Sequence, residues 1–152
     1  MYWYAKGDCI LNNSKTTKFI EKTTSLMTVS VVIWFLIIIY QFIIGLVTLI
    51  FGYGLATLLV MGYNIFSVVR YIKTINFFKK NAEYIQITDF IDYFEKNIPV
   101  AWLFLFVNLL IGGFFGFIGC LYDLILSYYV KGKRGELLMP ESETEIIEDY
   151  EE

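Results

Sequence analysis

The chain is expected to fold as an all-α integral membrane protein: a small polytopic bundle, with four membrane helices in two hairpins or three in all, plus an amphipathic cytoplasmic helix. Three observations carry that expectation. Between Lys22 and Arg70 the sequence runs 47 residues without an Asp, Glu, Lys or Arg. Between Lys96 and Lys131 it runs 34 more with one charge, Asp123. Basic residues then gather beside these runs in three places: Lys15, Lys18 and Lys22; Arg70, Lys73, Lys79 and Lys80; and Lys131, Lys133 and Arg134. An apolar run of about 18 residues suffices to cross the ~30 Å hydrocarbon core, so the lipid bilayer is the first partner this chain requires. A composition of 57% hydrophobic and 19% aromatic residues points the same way.

The elements follow in order. Residues 1–25 form a polar N-terminal segment in which Met1-Tyr2-Trp3-Tyr4 reads as an interfacial aromatic foot. No apolar signal region precedes Thr24, so the first membrane helix is expected to act as an uncleaved targeting signal. Residues 26–72 form the first hairpin, because an uninterrupted 47-residue helix would reach about 70 Å and has to turn back. Gly52-Tyr53-Gly54 supplies the turn, between helices over Leu26 to Phe51 and Leu55 to Ile72.

Residues 73–98 are expected to be a cytoplasmic connector. Phe77, Tyr84, Ile87, Ile91, Phe94 and Ile98 recur at spacings of 7, 3, 4, 3 and 4, one face of a helix that rests on lipid or on the bundle. Thr88 or Asp89 would cap it, and Pro99 would open the next descent.

Residues 99–130 admit two readings. Gly112-Gly113 turns a second hairpin, or one long helix carries Asn108, Gly112, Gly116, Gly119 and Asp123 on a single small-and-polar face at spacings of 4, 4, 3 and 4. Charge sidedness favours the hairpin, since an even number of crossings puts all three basic clusters, and both termini, on the cytoplasmic side. At an offset of 59 residues Gly54 aligns with Gly113, Tyr63 with Tyr122 and Asn64 with Asp123, which a duplicated hairpin or coincidence would produce.

Residues 131–152 join a basic stretch to an acidic tail. The first 135 residues carry twelve basic and seven acidic side chains, whereas 136–152 carry eight acidic and none basic. That tail buries too little apolar surface to fold alone. It is expected to be a solvated extension, or a cytoplasmic protein's docking motif anchored by Ile146, Ile147 and Tyr150.

Four polar residues fall inside the greasy stretches: Gln41, Asn64, Asn108 and Asp123. A carboxylate at mid-membrane costs about 2.5–3.5 kcal/mol on insertion scales, so Asp123 is expected to face protein or a wet cavity in its neutral, hydrogen-bonding form. Asn64, Asn108, Gln41 or a tyrosine hydroxyl would satisfy it. Gly112, Gly116 and Gly119 on one face, and Gly45 with Gln41, Thr48 and Gly52 on another, allow helices to approach closely, within the chain or in a homo- or hetero-oligomer.

Catalysis is not expected. The chain has no histidine, hence no Ser-His pair and no zinc or haem cluster, and it has neither a GxGxxG nor a Walker loop. No metal, cofactor or nucleic-acid partner is implied, because the lysines are scattered among acidic residues. The expected function is that of a structural or interaction subunit of a membrane complex. A homo-oligomeric pore with Asp123 on its path stands second, and an immunity or exclusion protein third.

Overall fold

A computed structural model describes residues 14–138, and every regular element in that range is helical. Helix α1 spans Ser14–Val47 and tightens into a last narrow turn over Thr48–Phe51. Helix α2 spans Gly54–Lys80, α3 spans Ile87–Val107, and after a wide turn over Asn108–Gly112, α4 spans Gly113–Gly132. The short α5, Arg134–Leu138, closes the described chain. Three helical stretches are long and apolar enough to cross a membrane: Ser14–Phe51, Gly54–Lys80 and Ile87–Gly132. The N-terminal aromatic group and residues 139–152 of the acidic tail, with Ile146, Ile147 and Tyr150, lie outside the described residues.

The helices reach further into the charged flanks than the uncharged run alone predicts. α1 begins twelve residues before Leu26, and α2 continues eight past Ile72. Both extensions pack on protein, with Ile20 and Phe78 buried in a common core with Met27, Phe90, Phe94 and Val130. The backbone turns between α1 and α2 at Gly52, whose φ of 80° is costly for any residue with a side chain, and its N–H donates to the Leu49 carbonyl at 3.1 Å.

Residues 73–98 divide between two helices, α2 ending at Lys80 and α3 beginning at Ile87. Ile91 and Phe94 are buried in the bundle, while Phe77 and Tyr84 face outward. The expected caps are displaced. Extended Gln86 precedes α3 without a side-chain cap, and Asp89 falls in the first turn, where its negative charge is stabilised by the positive end of the helix dipole. Pro99 does not open α3; it lies well inside, where it removes one backbone hydrogen bond that the packing of this helix tolerates.

The backbone breaks again at Gly113, with φ 78° and ψ 176°. Beyond the break α4 runs back along α3. Asn108 reaches Cys120, Trp102 donates to the Tyr128 hydroxyl at 3.4 Å, and Arg134 meets Asp92 at 3.2 Å and Glu95 at 3.0 Å. Asn108, Gly112, Gly116, Gly119 and Asp123 are therefore not one face of an unbroken helix.

At the charged end, α5 is tied by ions rather than by burial. Glu136 meets Lys133 at 2.5 Å and Lys15 at 3.6 Å, linking α5 to α1, while Arg134 links it to α3. The Lys133 ammonium holds the Glu136 carboxyl below the usual carboxylate range, with Lys15 adding to the effect. Such a group stabilises the fold fully above the ordinary carboxylate range, and the contribution disappears as pH falls through its depressed value. Protection of the amides of residues 134–138 from hydrogen exchange, measured relative to the intrinsic rate at each pH, is accordingly expected to fall on acidification and at high salt, while that of α1 to α4 holds.

Candidate functional site

The polar residues Gln41, Asn64, Asn108 and Asp123 of the long apolar stretches fall into two clusters, both bonded within one chain. The first joins three helices. Gln41 of α1 accepts a hydrogen bond from the Asn64 amide of α2 at 2.9 Å, and donates to Asn108 Oδ1 at 3.2 Å and to the Gly112 carbonyl at 3.1 Å. Asn64 also donates to Asn108 Oδ1 at 3.3 Å. The Asn108 amide turns the other way, donating to the Phe104 carbonyl at 3.1 Å and to Cys120 Sγ at 3.5 Å. All three carboxamides are buried.

The location explains the cluster. The turn between α3 and α4 leaves carbonyls without helical partners, and its buried residues Asn108 and Gly112 lie away from solvent. Gln41 takes the Gly112 carbonyl, and the Thr57 hydroxyl approaches the Ile111 carbonyl at 3.5 Å. Gly112 and Gly116 flank the Asn108 side chain so closely that a Cβ at Gly116 would lie 3.1 Å from Asn108 Cβ.

The second cluster surrounds Asp123. Its Oδ2 accepts from Trp34 Nε1 at 2.7 Å, and its Oδ1 is bonded to the Ser30 hydroxyl. Ser30 and Trp34 stand one turn apart on α1, so a single helix face offers both groups. Gly119 makes this approach feasible, since a Cβ there would lie 3.2 Å from the Trp34 ring. Just below, the Tyr122 hydroxyl donates to the Leu26 carbonyl at 3.1 Å.

Each expected site residue therefore has a definite place. Gln41, Asn64 and Asn108 come together; Asp123 does not join them. The three carboxamides expected to satisfy Asp123 are bonded to one another, the nearby Tyr122 hydroxyl is taken by the Leu26 carbonyl, and Ser30 and Trp34 bond the carboxyl instead. Gly112, Gly116 and Gly119 are occupied by side chains of this same chain, and Gly45 by Leu58, 2.7 Å from its would-be Cβ. Asn64 and Asp123 differ in depth, since their partners on α1 are seven to eleven residues apart, about 10–16 Å along the helix, which argues against equivalent positions in a duplicated hairpin. The signal for Ser30 and Trp34 was available. Extending the stripe of Gln41 and Gly45 three turns back along α1 meets both.

Between α2 and α3 lies a cleft of about 180 Å³. Tyr63 closes one end by stacking on Phe104 at 4.4 Å, and Tyr93, whose ring packs on Phe78 at 5.3 Å, stands at the other. Trp34, Cys120, Asp123 and Ser127 form part of its lining, and exposed Arg70 lies on its rim. Among the described residues no three of Asp, Glu, Cys or His come together to hold a metal ion.

Comparison with protein families, curated proteins and solved structures finds no match to this chain. The class rests on physical grounds: three helices long and apolar enough to cross a membrane, consistent with a multi-pass membrane protein. Its outer helix faces carry large apolar side chains, such as Leu36 of α1 at 62% and Leu59 of α2 at 69% exposure, as a lipid-facing surface requires.

Proposed function

We propose that this chain is a non-enzymatic membrane subunit, a rigid scaffold that presents apolar helix faces to a partner within the bilayer. The observation that supports it most is that Gln41, Asn64, Asn108 and Asp123 all have their hydrogen bonds inside a single copy. A pore made of several copies needs such groups turned toward a shared water path. The glycine faces are likewise filled internally, so association with a second copy or another protein falls to the exposed apolar surfaces of α1, α2 and the α3–α4 turn.

In this reading four helical legs enter the bilayer as two hairpins, with both termini and all basic clusters on the cytoplasmic side. The second hairpin is the shallower. Its turn is bonded to Thr57 and Gln41, about 5 Å short of the first turn along α2 and about 15 Å along α1. A turn at that depth has to be satisfied by protein, which gives the carboxamide cluster its purpose. The acidic tail remains available to a cytoplasmic partner.

Two measurements test the proposal. Full-length protein reconstituted into dye-loaded vesicles is expected to release no dye, and Asp123→Asn is expected to change neither this nor the mass in detergent. Dye release that vanishes in Asp123→Asn would replace the scaffold with a pore.

A further inference from the structure

The cleft between α2 and α3 is built like a receptor for one lipid. It opens sideways, toward where the hydrocarbon lies. Along α2 the lining runs from Tyr63, stacked on Phe104, to Tyr71, a window eight residues or about 12 Å long, with Tyr93 at the far end. Toward Tyr63 the walls are apolar, with Phe66, Val100, Ala101 and Phe104. Around Arg70 they are polar. The Tyr71 hydroxyl has no hydrogen bond among the described residues, and Asn97, whose amide donates to the Tyr93 carbonyl at 2.8 Å, lies opposite on α3.

Arg70 supplies the charge. It has no carboxylate within ion-pair distance among the described residues, although Arg134, Lys133 and Lys15 all do. An arginine at a lipid-facing rim, seven residues or about 10 Å of helix from the apolar end, is placed for a phosphate with a chain descending beside it. Deeper in the cleft Asp123 has both carboxyl oxygens engaged by Ser30 and Trp34, so the inner lining gives a phosphate no counter-charge, and Arg70 at the rim does.

We propose that this cleft binds a phospholipid of the surrounding cytoplasmic leaflet, its phosphate on Arg70 and one acyl chain between α2 and α3 against Phe66, Val100 and Phe104. The inference rests on the bilayer reading of the chain.

The test uses full-length protein in detergent micelles with phosphatidylglycerol carrying a diazirine in one acyl chain. After irradiation and digestion, adducts are expected to concentrate on peptides holding Phe66 and Val100 to Phe104. Unlabelled phosphatidylglycerol is expected to compete, whereas diacylglycerol, which has the chains without the phosphate, is not. Arg70→Gln should reduce labelling on the order of tenfold, the scale of one charge-assisted contact. Lys73→Gln, one turn away and outside the cleft, should leave it unchanged. Ala101→Trp, which fills the apolar end, should abolish labelling. Helical content measured by circular dichroism identifies a variant that has failed to fold, and the competition on the native chain decides the matter independently of either substitution. Adducts spread evenly over every outer face, equal competition by diacylglycerol, or unchanged labelling of folded Arg70→Gln would overturn the proposal. Failure of the bilayer reading has its own signature, a chain that stays dissolved and monomeric without detergent.

Discussion

Replacing Asn108 by leucine is expected to destabilise the bundle by about 2–4 kcal/mol, read from reversible unfolding in mixed micelles. The two side chains have similar shape, so packing against Gly112 and Gly116 survives and the loss is one of polarity. Gln41 and Asn64 lose a shared acceptor, and the Phe104 carbonyl and Cys120 lose a donor. Each bond is worth on average about 0.6 kcal/mol inside a membrane protein, but the groups left behind sit where no water can replace the partner. Gln41→Leu should cost a comparable amount for a different reason, since it also strips the Gly112 carbonyl at the turn. Because the two residues share a bond, the double substitution should cost less than the two single ones added together, by about 1 kcal/mol. Strict additivity would mean that the amides act separately and that the cluster is not one unit.

Gly54→Ala is expected to cost about 2–3 kcal/mol by the same measurement, from the addition of a single methyl group. That methyl would collide with the Gly45 carbonyl and with the backbone of Leu49, where α1 and α2 meet beside their turn. No rotamer moves a Cβ, so the two helices must separate. Gly62→Ala provides the contrast on the same helix. Nothing lies within 4 Å of its would-be Cβ, and alanine's better helix propensity should stabilise the protein by about 0.5–1 kcal/mol. Equal effects of the two substitutions would remove steric contact as the explanation.

The elements legible in the sequence were those that depend on solvent and on local backbone chemistry. Length without charge gives a membrane helix, because a charge in hydrocarbon costs more than a side chain can recover, and Gly52 gives a turn because positive φ excludes most other residues. The ends of the helices were not legible. Nothing between Ser14 and Leu26 is apolar enough to declare a helix, yet Ile20 is packed against Phe90 and Phe94 on a distant element. Propensity was overridden by packing at these ends, as it was at Pro99.

The candidate site divides in the same way. That Gln41, Asn64, Asn108 and Asp123 must face protein follows from what hydrocarbon does to polar groups. Which of them meet does not. The carboxamides gather because the turn before Gly113 lies at the depth of Gln41, and Asp123 lies beyond their reach, beside Ser30 and Trp34. Sequence by itself determined which stretches are long and apolar enough to cross a bilayer, the positions of the turns and the need of each buried polar group for a partner, since these follow from transfer free energies and from the conformational range of single residues. Only the tertiary structure decided the partners and opened the cleft between α2 and α3, because relative depth and rotation of helices arise from side chains meeting across gaps of up to 121 residues, as Lys15 and Glu136 do, for which no local rule exists.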